Sequence, residues 1–430
     1  MSKLEELIQK YCPDGVEWKT FFDVCDLIRG ITYNKEQEAK SQTEDAHKVL
    51  RANNITLHLN ALNFEDVKLV SKDVVVKPSQ HLYAGDILMC AGSGSKEHVG
   101  KVAFISEDMD YTFGGFMAVV RCKESILPRF IYHILTSGYF SNHLDVQINS
   151  STINNINKQV MQSFAFPVPP LPVQEEIVKI LDAFASYTAE LEAELEAELE
   201  ARKKQYEYYR DNLLSFEGRT DVEWKKFADV FETITDYTAA GSFKNIADNV
   251  KYLKAPDYAM LVRTTDLKSK FKKGDFIYVS QSAFEYLWRV RMNRECIVMP
   301  NVGNCGEIYY VKPEDLPYEN CALAPNAILV RSNTYNNKYL SYCLQVEDFQ
   351  KQLAKITSPV GQSKFNKTEL KRLFIPLPSL AEQQRIVDIL DRFDTITNDL
   401  TAGLPAEIEK RKQQYEYYRD KLLTFKRKES

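Results

Sequence analysis

Residues 167–216 read PVPPLPVQEEIVKILDAFASYTAELEAELEAELEARKKQYEYYRDNLLSF, and residues 376–425 read PLPSLAEQQRIVDILDRFDTITNDLTAGLPAEIEKRKQQYEYYRDKLLTF. The two stretches align without a gap at an offset of 209 residues, and 29 of their 50 positions are identical. A shorter match precedes each copy, because DGVEWKTFFDV (14–24) resembles TDVEWKKFADV (220–230). The chain is therefore an internal duplication, in which one structural unit is used twice.

The segments between these matching ends hardly resemble each other. Residues 31–150 and 237–357 share little beyond alternating apolar patterning and turn signals. A duplicated framework that carries two different inserts predicts one mechanical role performed twice and two different recognition tasks.

The repeated stretches predict long helices of the coiled-coil type. Their apolar and aromatic positions recur in steps of four and three, and each copy begins in a Pro-rich segment that blocks earlier helix formation. A helix of about 40 residues spans about 60 Å. Two such helices in one chain favour an antiparallel intramolecular pair. Residues 1–12 predict a short amphipathic helix directly before the first VEWK segment, the place that the end of the first long helix holds before the second VEWK segment. We therefore expect the C-terminal helix to finish near the N-terminus.

The two copies differ most at one place. Residues 189–200 repeat the tetrapeptide AELE three times, whereas the second copy has Gly403 and Pro405, which predict a helix break and a restart. The AELE tract is either a solvated, strongly helical face or an adjustable spacer. One added unit would lengthen the helix by about 6 Å and rotate its end by about 40°.

Each globular segment shows short β-patterned runs, then a helical run, then a polar loop. Examples are GDILMC (85–90) and ECIVM (295–299) for strands, and PRFIYHILTSGYFSNHL (128–144) for a helix. The predicted fold is α+β, with two globular domains separated by an antiparallel pair of long coiled-coil helices in a pseudo-two-fold duplication. The predicted segments are 1–166, 167–216, 217–375 and 376–430.

Two polar loops recur at matching places in the two domains. One loop follows a predicted strand (91–101 and 300–307), and the other precedes the Pro-rich segment (149–158 and 358–367). Both are either ordinary surface loops or contact loops, and their recurrence favours contact. Their polar side chains are of types that reach the base edges and phosphates of DNA. The candidate DNA-binding residues are Ser93, Ser95, Lys96, His98, Lys101, Asn154, Asn157, Lys158, Asn301, Asn304, Gln362, Ser363, Lys364, Asn366 and Lys367.

The charge distribution argues against an autonomous, strongly basic DNA-binding protein. The net charge is −5; residues 167–216 carry 5 basic and 11 acidic side chains, and residues 217–375 carry 23 and 19. If DNA is the ligand, its contacts must be local, or a partner must supply part of the positive charge.

Other function classes find little support in the sequence. An apolar run of 18 residues is absent, so no membrane span is expected. Eight scattered cysteines without a CxxC pair favour a reduced, cytoplasmic protein without structural zinc. PDGVEWK (13–19) lacks the spacing of a nuclease motif, and GSGSKEHVGK (92–101) lacks the ends of a P-loop. We therefore expect a chain that is not an enzyme and holds no metal.

The motifs together resemble the specificity subunit of type I restriction–modification systems. The resemblance rests on GDIL (85–88), the polar loops, and the two Pro-rich helix starts that each lead to QYEYYRD, and it covers essentially the whole chain. It implies two target-recognition domains alternating with two conserved helical regions. One half of a bipartite, asymmetric DNA sequence would be read by each domain, 31–166 and 237–375. The AELE tract is similar to the tetrapeptide spacer repeats of that family.

The resemblance also implies partners. Two DNA methyltransferase subunits would dock on the repeated helices, and ATP-dependent restriction and translocation subunits would join them on double-stranded DNA. S-adenosylmethionine, ATP and Mg are then expected on those partners, and no cofactor is expected on this chain.

Two alternatives stay open at the level of sequence. The chain could serve a related system in which modification and cleavage are fused in one partner polypeptide. It could also be a coiled-coil adaptor without a role on DNA.

Overall fold

The computed structural model describes residues 2–39, 46–56, 60–148, 155–216, 218–272, 274–358, 363–398 and 403–429. The chain divides into two compact units, Met1–Glu196 with Glu407–Ser430, and Ala197–Ala406. Each unit combines helices and strands in an α+β arrangement and includes parts of two long helices. The predicted fold class is confirmed.

The first unit begins with a short helix whose start is capped by Ser2, which accepts from the backbone N of Glu5 at 3.3 Å. Its elements up to the first long helix are α1 (Lys3–Tyr11), β1 (Glu17–Thr20), α2 (Phe21–Val24), β2 (Cys25–Arg29), β3 (Ala46–Leu50), β4 (Lys68–Ser71), β5 (Ile87–Cys90), β6 (Val102–Phe104), β7 (Thr112–Phe113), β8 (Met117–Cys122), α3 (Pro128–Leu135), α4 (Gly138–Ile148), α5 (Lys158–Gln162), β9 (Ala165–Val168) and α6 (Leu171–Leu213).

From its first strand, the second unit repeats this order with three additional helices inserted between successive strands. Its elements are β10 (Glu223–Lys226), α7 (Phe227–Val230), β11 (Thr233–Asp236), α8 (Phe243–Asn249), β12 (Ala259–Val262), α9 (Thr264–Lys268), β13 (Ile277–Val279), α10 (Gln281–Tyr286), β14 (Cys296–Pro300), β15 (Tyr309–Val311), β16 (Cys321–Leu323), β17 (Ala327–Arg331), α11 (Asn337–Cys343), α12 (Glu347–Ile356), α13 (Lys367–Leu370), β18 (Phe374–Leu377) and α14 (Leu380–Asn398). The last helix, α15 (Leu404–Leu422), belongs mainly to the first unit.

The two globular domains share one sheet topology although their sequences have diverged. The described strands of the first unit form a four-stranded sheet in the order β2-β8-β5-β6 and a three-stranded sheet in the order β4-β3-β7. The second unit has the same two sheets, β11-β17-β14-β15 and β13-β12-β16. The central strands β5 and β14 are buried along their whole length, which explains their continuous apolar sequences.

Most of each VEWK segment forms a strand, β1 or β10, which pairs with the strand directly before the long helix. β1 pairs antiparallel with β9, which places Trp18 opposite Pro167, and β10 pairs with β18, which places Trp224 opposite Pro376. The Pro-rich segments are therefore the last strand of each domain, and the long helices start directly after them.

A buried glutamine fixes the start of each long helix to its domain. The Gln174 amide donates to the carbonyl of Pro169 at 2.7 Å and accepts from the backbone N of Leu127 at 3.0 Å. Gln383 makes the same two hydrogen bonds in the second unit, at 2.9 and 3.2 Å. Because both side chains are buried, each bond replaces a lost contact with water.

The long helices pair antiparallel within each unit. In the first unit Ile177 and Leu181 share a core with Leu423, and Phe184, one turn further along α6, contacts Tyr418 at 5.8 Å between ring centroids. The equivalent pair in the second unit, Phe393 and Tyr209, lies 5.3 Å apart. The predicted helix pairing is confirmed.

The predicted difference between the two long helices is also present. α6 runs without interruption through the AELE tract, as one helix of 43 residues. Gly403 is not helical, and α15 begins at Leu404 with Pro405 in its first turn. Residues 399–402 lie outside the described part of the chain.

The C-terminal segment lies beside the N-terminal strand, as expected from the repeat. The backbone N of Val16 donates to the carbonyl of Lys426 at 2.9 Å, and the N of Lys428 donates back to the carbonyl of Val16 at 2.9 Å. Gly15, at φ +101°, allows this approach, since a Cβ there would lie 2.5 Å from the Lys426 carbonyl oxygen.

Candidate nucleic-acid interface

The two predicted polar loops of the first domain lie side by side. Gly92 and Asn155 form an antiparallel bridge, and the backbone N of Ile156 donates to the carbonyl of Ala91 at 2.7 Å. The loop that follows β5 is thereby held against the segment that leads to α5.

The second domain joins its two polar loops in the same way. Val302 and Lys364 form an antiparallel bridge, and the backbone N of Gly303 donates to the carbonyl of Ser363 at 2.8 Å. Two loops about 60 residues apart in sequence thus form one surface in each domain, which their recurrence alone could not establish.

A cleft lies beside the joined loops of the first domain. Its volume is about 770 Å³, and its walls include the loop 92–94 and the turn 114–117. The lining residues with polar or aromatic side chains are Thr32, Tyr33, Arg51, Asn53, Ser93, His98 and Phe116.

The second domain has a cleft of about 680 Å³ at the matching corner of its sheet. The match follows from strand register, because Cys90 pairs with Met117 beside the first cleft and Pro300 pairs with Ala327 beside the second. Its polar and aromatic lining residues are Asp236, Tyr237, Thr238, Lys251, Tyr252, Asn301 and Asn326. The two clefts share a place in the fold and differ in side-chain chemistry.

Each cleft contains a buried polar atom that lacks a hydrogen-bond partner among the described residues. These atoms are Nδ1 of His98 in the first domain and Oδ1 of Asn301 in the second. Nε of Arg51 is in the same situation, although its terminal nitrogen pairs with Asp66 at 2.8 Å. Leaving such an atom unbonded costs about 1–3 kcal/mol, so these atoms mark where an external ligand would gain hydrogen bonds.

Four of the predicted DNA-binding residues of the first domain lie on the loop that borders the cleft. Ser93 and His98 line the cleft, and Ser95 and Lys96 belong to the same loop, where Ser95 is exposed. The candidate Asn154 lies outside the described residues.

Three further candidates of the first domain have other positions. Asn157 caps α5, because its Oδ1 accepts from the backbone N of Val160 at 2.9 Å, and Lys158 beside it is exposed. The Lys101 ammonium donates to the carbonyl of Ile55 at 2.6 Å, and burial lowers the pKa of Lys101. Lys101 therefore contributes to the interior of the domain, and a DNA contact from it stays a prediction.

The candidates of the second domain repeat this division. Asn301 lines the cleft, and Asn304, Ser363 and Lys364 belong to the joined loops, where Lys364 is exposed. The candidate Gln362 lies outside the described residues.

The remaining two candidates lie at the helix that follows the loop. Asn366 caps α13 by accepting from the backbone N of Glu369 at 2.9 Å, as Asn157 caps α5. The Lys367 ammonium lies 2.8 Å from the carboxylate of Asp236, a residue that lines the cleft.

Several cleft residues were not found from the sequence. Arg51, Asn53 and Phe116 come from segments that were not singled out, as do Lys251 and Asn326 in the second domain. The strongest missed signal is FGGF (113–116), where a Gly-Gly turn ends in an aromatic residue directly before a strand.

The described residues contain no group of three or more His, Cys, Asp or Glu side chains that could hold a metal ion. None of the helices formed by these residues is long and apolar enough to cross a membrane.

Known proteins of one family resemble this chain in sequence and in fold. The family model described as the type I restriction modification DNA specificity domain matches twice, over residues 13–201 and 220–410. Each match spans one globular domain and much of the long helix that follows it.

Individual relatives agree with the family model. The chain is 29% identical over 437 residues to a protein named as a type I restriction enzyme specificity subunit in Haemophilus influenzae, with 98% of each chain covered. It is 34% identical over 272 residues to the EcoR124I/EcoR124II specificity subunit of Escherichia coli, which covers 61% of this chain and 62% of that one.

A solved structure shares the fold along nearly the full length. It comes from a study of complex assembly and conformational transition in the type I R-M system, and it matches with a TM-score of 0.65 at 16% identity. The match covers 96% of this chain and 98% of the solved chain.

Proposed function

This chain belongs to the type I restriction modification DNA specificity family, and we propose that it reads a bipartite, asymmetric DNA sequence with one half-site per globular domain. The domain within residues 1–166 reads one half, and the domain within residues 217–375 reads the other. The bases between the two half-sites are not read.

One observation carries this proposal. Two clefts occupy the same corner of the same sheet topology and are lined by different side chains. The first cleft offers a guanidinium, an imidazole and an amide (Arg51, His98 and Asn53), whereas the second offers amides and hydroxyls, including Asn301 and Asn326. A shared frame with different hydrogen-bonding groups supports the reading of two different base sequences.

The contacts divide by chemistry. Groups that line the clefts suit base edges, and the exposed ammonium groups of Lys158 and Lys364 at the joined loops suit phosphates. Ser95, Lys96, Asn304 and Ser363 belong to the same loops. The proposed interface does not depend on Lys101, whose ammonium bonds to backbone carbonyls inside the domain.

We propose that the repeated helices dock two methyltransferase subunits. Tyr208 is 67% exposed and Tyr417 is 62% exposed, and the two occupy matching positions in the two copies. Exposed aromatic side chains are enriched at protein interfaces. A surface present twice in one chain suits two copies of one partner, and restriction and translocation subunits then complete the assembly.

The same proposal assigns catalysis to the partners. This chain then supplies specificity alone, and its partners bind S-adenosylmethionine, ATP and Mg. A cytoplasmic location fits the eight cysteines, which are all free thiols.

A methylome of the host, sequenced with and without this gene, tests the proposal. We expect one asymmetric bipartite motif to lose its adenine methylation when the gene is deleted and to regain it on complementation. An unchanged methylome, in cells that express the methyltransferase subunits, contradicts the proposal and favours an adaptor without a role on DNA.

A further inference from the structure

An exposed phenylalanine stands at the rim of the first cleft. Phe116 is 74% exposed, although the residues on both sides of it along β7 and β8 are largely buried. Solvent exposure of one apolar side chain is common, so the position of this ring and the hydrogen bonds of its backbone matter more than its exposure.

The backbone that carries Phe116 is held in place from two directions. The N of Met117 donates to the carbonyl of Gly114 at 2.7 Å, which closes a tight turn with Gly115 and Phe116 at its centre. The Phe116 carbonyl also accepts from the backbone N atoms of Ala91 and Gly92, both at 2.9 Å. The ring therefore projects from a fixed turn that is attached to the polar loop.

The surroundings of the ring suit nucleic acid. A Cβ at Gly92 would lie 3.2 Å from Cδ1 of Phe116, so the ring lies directly against the glycine-rich loop. The cleft beside it presents Arg51, Asn53 and Nδ1 of His98, which has no hydrogen-bond partner in the described part of the chain. Hydrogen-bonding groups next to an exposed ring on a hydrogen-bonded turn match the pattern of proteins that insert an apolar side chain between base pairs.

The second domain lacks this ring at the same place. Asn326 precedes β17 as Phe116 precedes β8, and its carbonyl accepts from the backbone N of Asn301 at 3.1 Å, as the carbonyl of Phe116 accepts from Ala91. Asn326 is exposed and has a φ of +69°, which asparagine tolerates better than most side chains. The two domains thus present an aromatic ring and an amide at equivalent positions.

Resting on the proposed function, we propose that Phe116 inserts between adjacent base pairs of the half-site read by the first domain, and that the second domain reads its half-site without such an insertion. The ring partly unstacks one base step, and the cleft groups beside it bind the base edges that are exposed. The DNA is then distorted in one half-site only. The inserted step is most easily opened where a pyrimidine precedes a purine.

The test uses the full chain in complex with its methyltransferase subunits and duplexes that carry 2-aminopurine at successive positions of both half-sites. The adenines that are methylated, and the bases next to them, stay unlabelled, because methyltransferases flip their target base out of the stack. We expect a rise in fluorescence at one step of the first half-site, and none in the second. Phe116→Ala abolishes the rise and lowers affinity by about 5- to 100-fold, as expected for one lost aromatic–base stack. Phe116→Leu, which keeps an apolar side chain able to insert, retains part of the fluorescence rise and part of the affinity.

Two control variants make the result specific. Val75→Ala, at an 81% exposed apolar residue of the same unit, leaves the fluorescence rise and the affinity unchanged. Asn326→Ala, at a residue of the second cleft, leaves the fluorescence rise in the first half-site unchanged. Sequence-specific binding without a fluorescence rise in the first half-site, or a rise that survives Phe116→Ala, overturns the insertion and leaves the proposed function intact. Absence of sequence-specific binding by the unaltered complex overturns the proposed function itself.

Discussion

Nε2 of the buried His133 lies 2.8 Å from Oδ1 of Asp182 and so joins helix α3 of the first domain to the long helix α6. At the matching positions of the second unit, the hydroxyl of Tyr342 donates to Oδ1 of Asp391. A cation also accompanies each carboxylate, Arg129 at 2.8 Å in the first unit and its counterpart at 3.5 Å in the second. The duplication has therefore kept the acceptor on the long helix while the donor on the domain has changed.

The first prediction concerns pH, because only one of these two junctions contains a histidine. Burial lowers the pKa of His133, against its hydrogen bond to the carboxylate of Asp182, which acts to raise the pKa. The unfolded chain takes up a proton at this histidine near pH ~6.5, whereas the folded chain does so only at lower pH. The contribution of His133 to stability is thus complete above about pH 6.5 and is lost as the pH falls below it.

We expect His133→Gln, which keeps an N–H donor without titrating, to reduce the loss of unfolding free energy between about pH 7 and about pH 5.5. Urea denaturation at several pH values measures this difference. The variant Tyr342→Phe, in the second unit, serves as the control that weakens the matching junction without removing a titrating imidazole. If the unfolding free energies of the unaltered chain and of His133→Gln depend equally on pH, His133 does not cause the loss of stability at low pH.

The second prediction concerns the two buried glutamines. Gln174→Met and Gln383→Met keep the side-chain volume but leave a backbone N–H and a carbonyl without their partners in the respective unit. Each variant is expected to lose about 2–4 kcal/mol of unfolding free energy, since two hydrogen bonds are removed at about 1–2 kcal/mol each. Hydrogen exchange read at α3 and at α11 should show the loss only in the unit that carries the substitution. Equal loss of protection in both units would contradict independent junctions.

The third prediction separates two lysines that the sequence places in one class. Lys158→Ala is expected to lower DNA affinity and to reduce the slope of log K against log salt by about 1, as for one lost phosphate contact. Lys101→Met is expected to lower the unfolding free energy and to leave that salt slope unchanged, because the Lys101 ammonium bonds to the carbonyls of Ile55 and Ala52. The reverse pattern, with the salt slope altered only by Lys101→Met, would show that the interface is elsewhere.

The fourth prediction concerns the spacer. Deletion of residues 193–196 removes one AELE unit from a helix that is continuous through the tract. The remaining helix is shorter by about 6 Å and its end is rotated by about 40°. We expect methylome sequencing to show a shorter unspecified gap with both half-sites retained. Replacement of Glu194 and Glu196 by Gln, which keeps the length, should leave the gap unchanged. If the deletion also leaves it unchanged, the tract does not set the spacing.

Local sequence predicted the long helices and their differences well. Three signals predicted them: the steps of apolar residues, the prolines at each helix start and the Gly403–Pro405 break. Each signal acts over a few residues, so the sequence alone reveals it. The sheet topology could not be predicted from local sequence. β2 pairs with β8 through Cys25 and Cys122, which are 97 residues apart, and no local pattern specifies that partner.

The candidate site was predicted in part, for the same reason. Ser93, His98 and Asn301 lie on loops whose polar sequences recur, and they line the clefts. Phe116 and Arg51 reach the first cleft only through strand pairing, so the sequence did not show that they lie beside it. The recurrence of Asn157 and its counterpart in the second copy has a local explanation, because both cap the helix that follows them.

The most direct test of one half-site per domain is the exchange of residues 31–166 for the same segment of a relative with a different DNA sequence. The exchanged segment contains the first cleft and leaves the second cleft and both long helices in place. We predict that methylome sequencing will show one half-site replaced by the relative's, with the other half-site and the length of the gap unchanged. A motif in which both halves change, or in which neither changes while methylation continues, would contradict the division of recognition between the two domains.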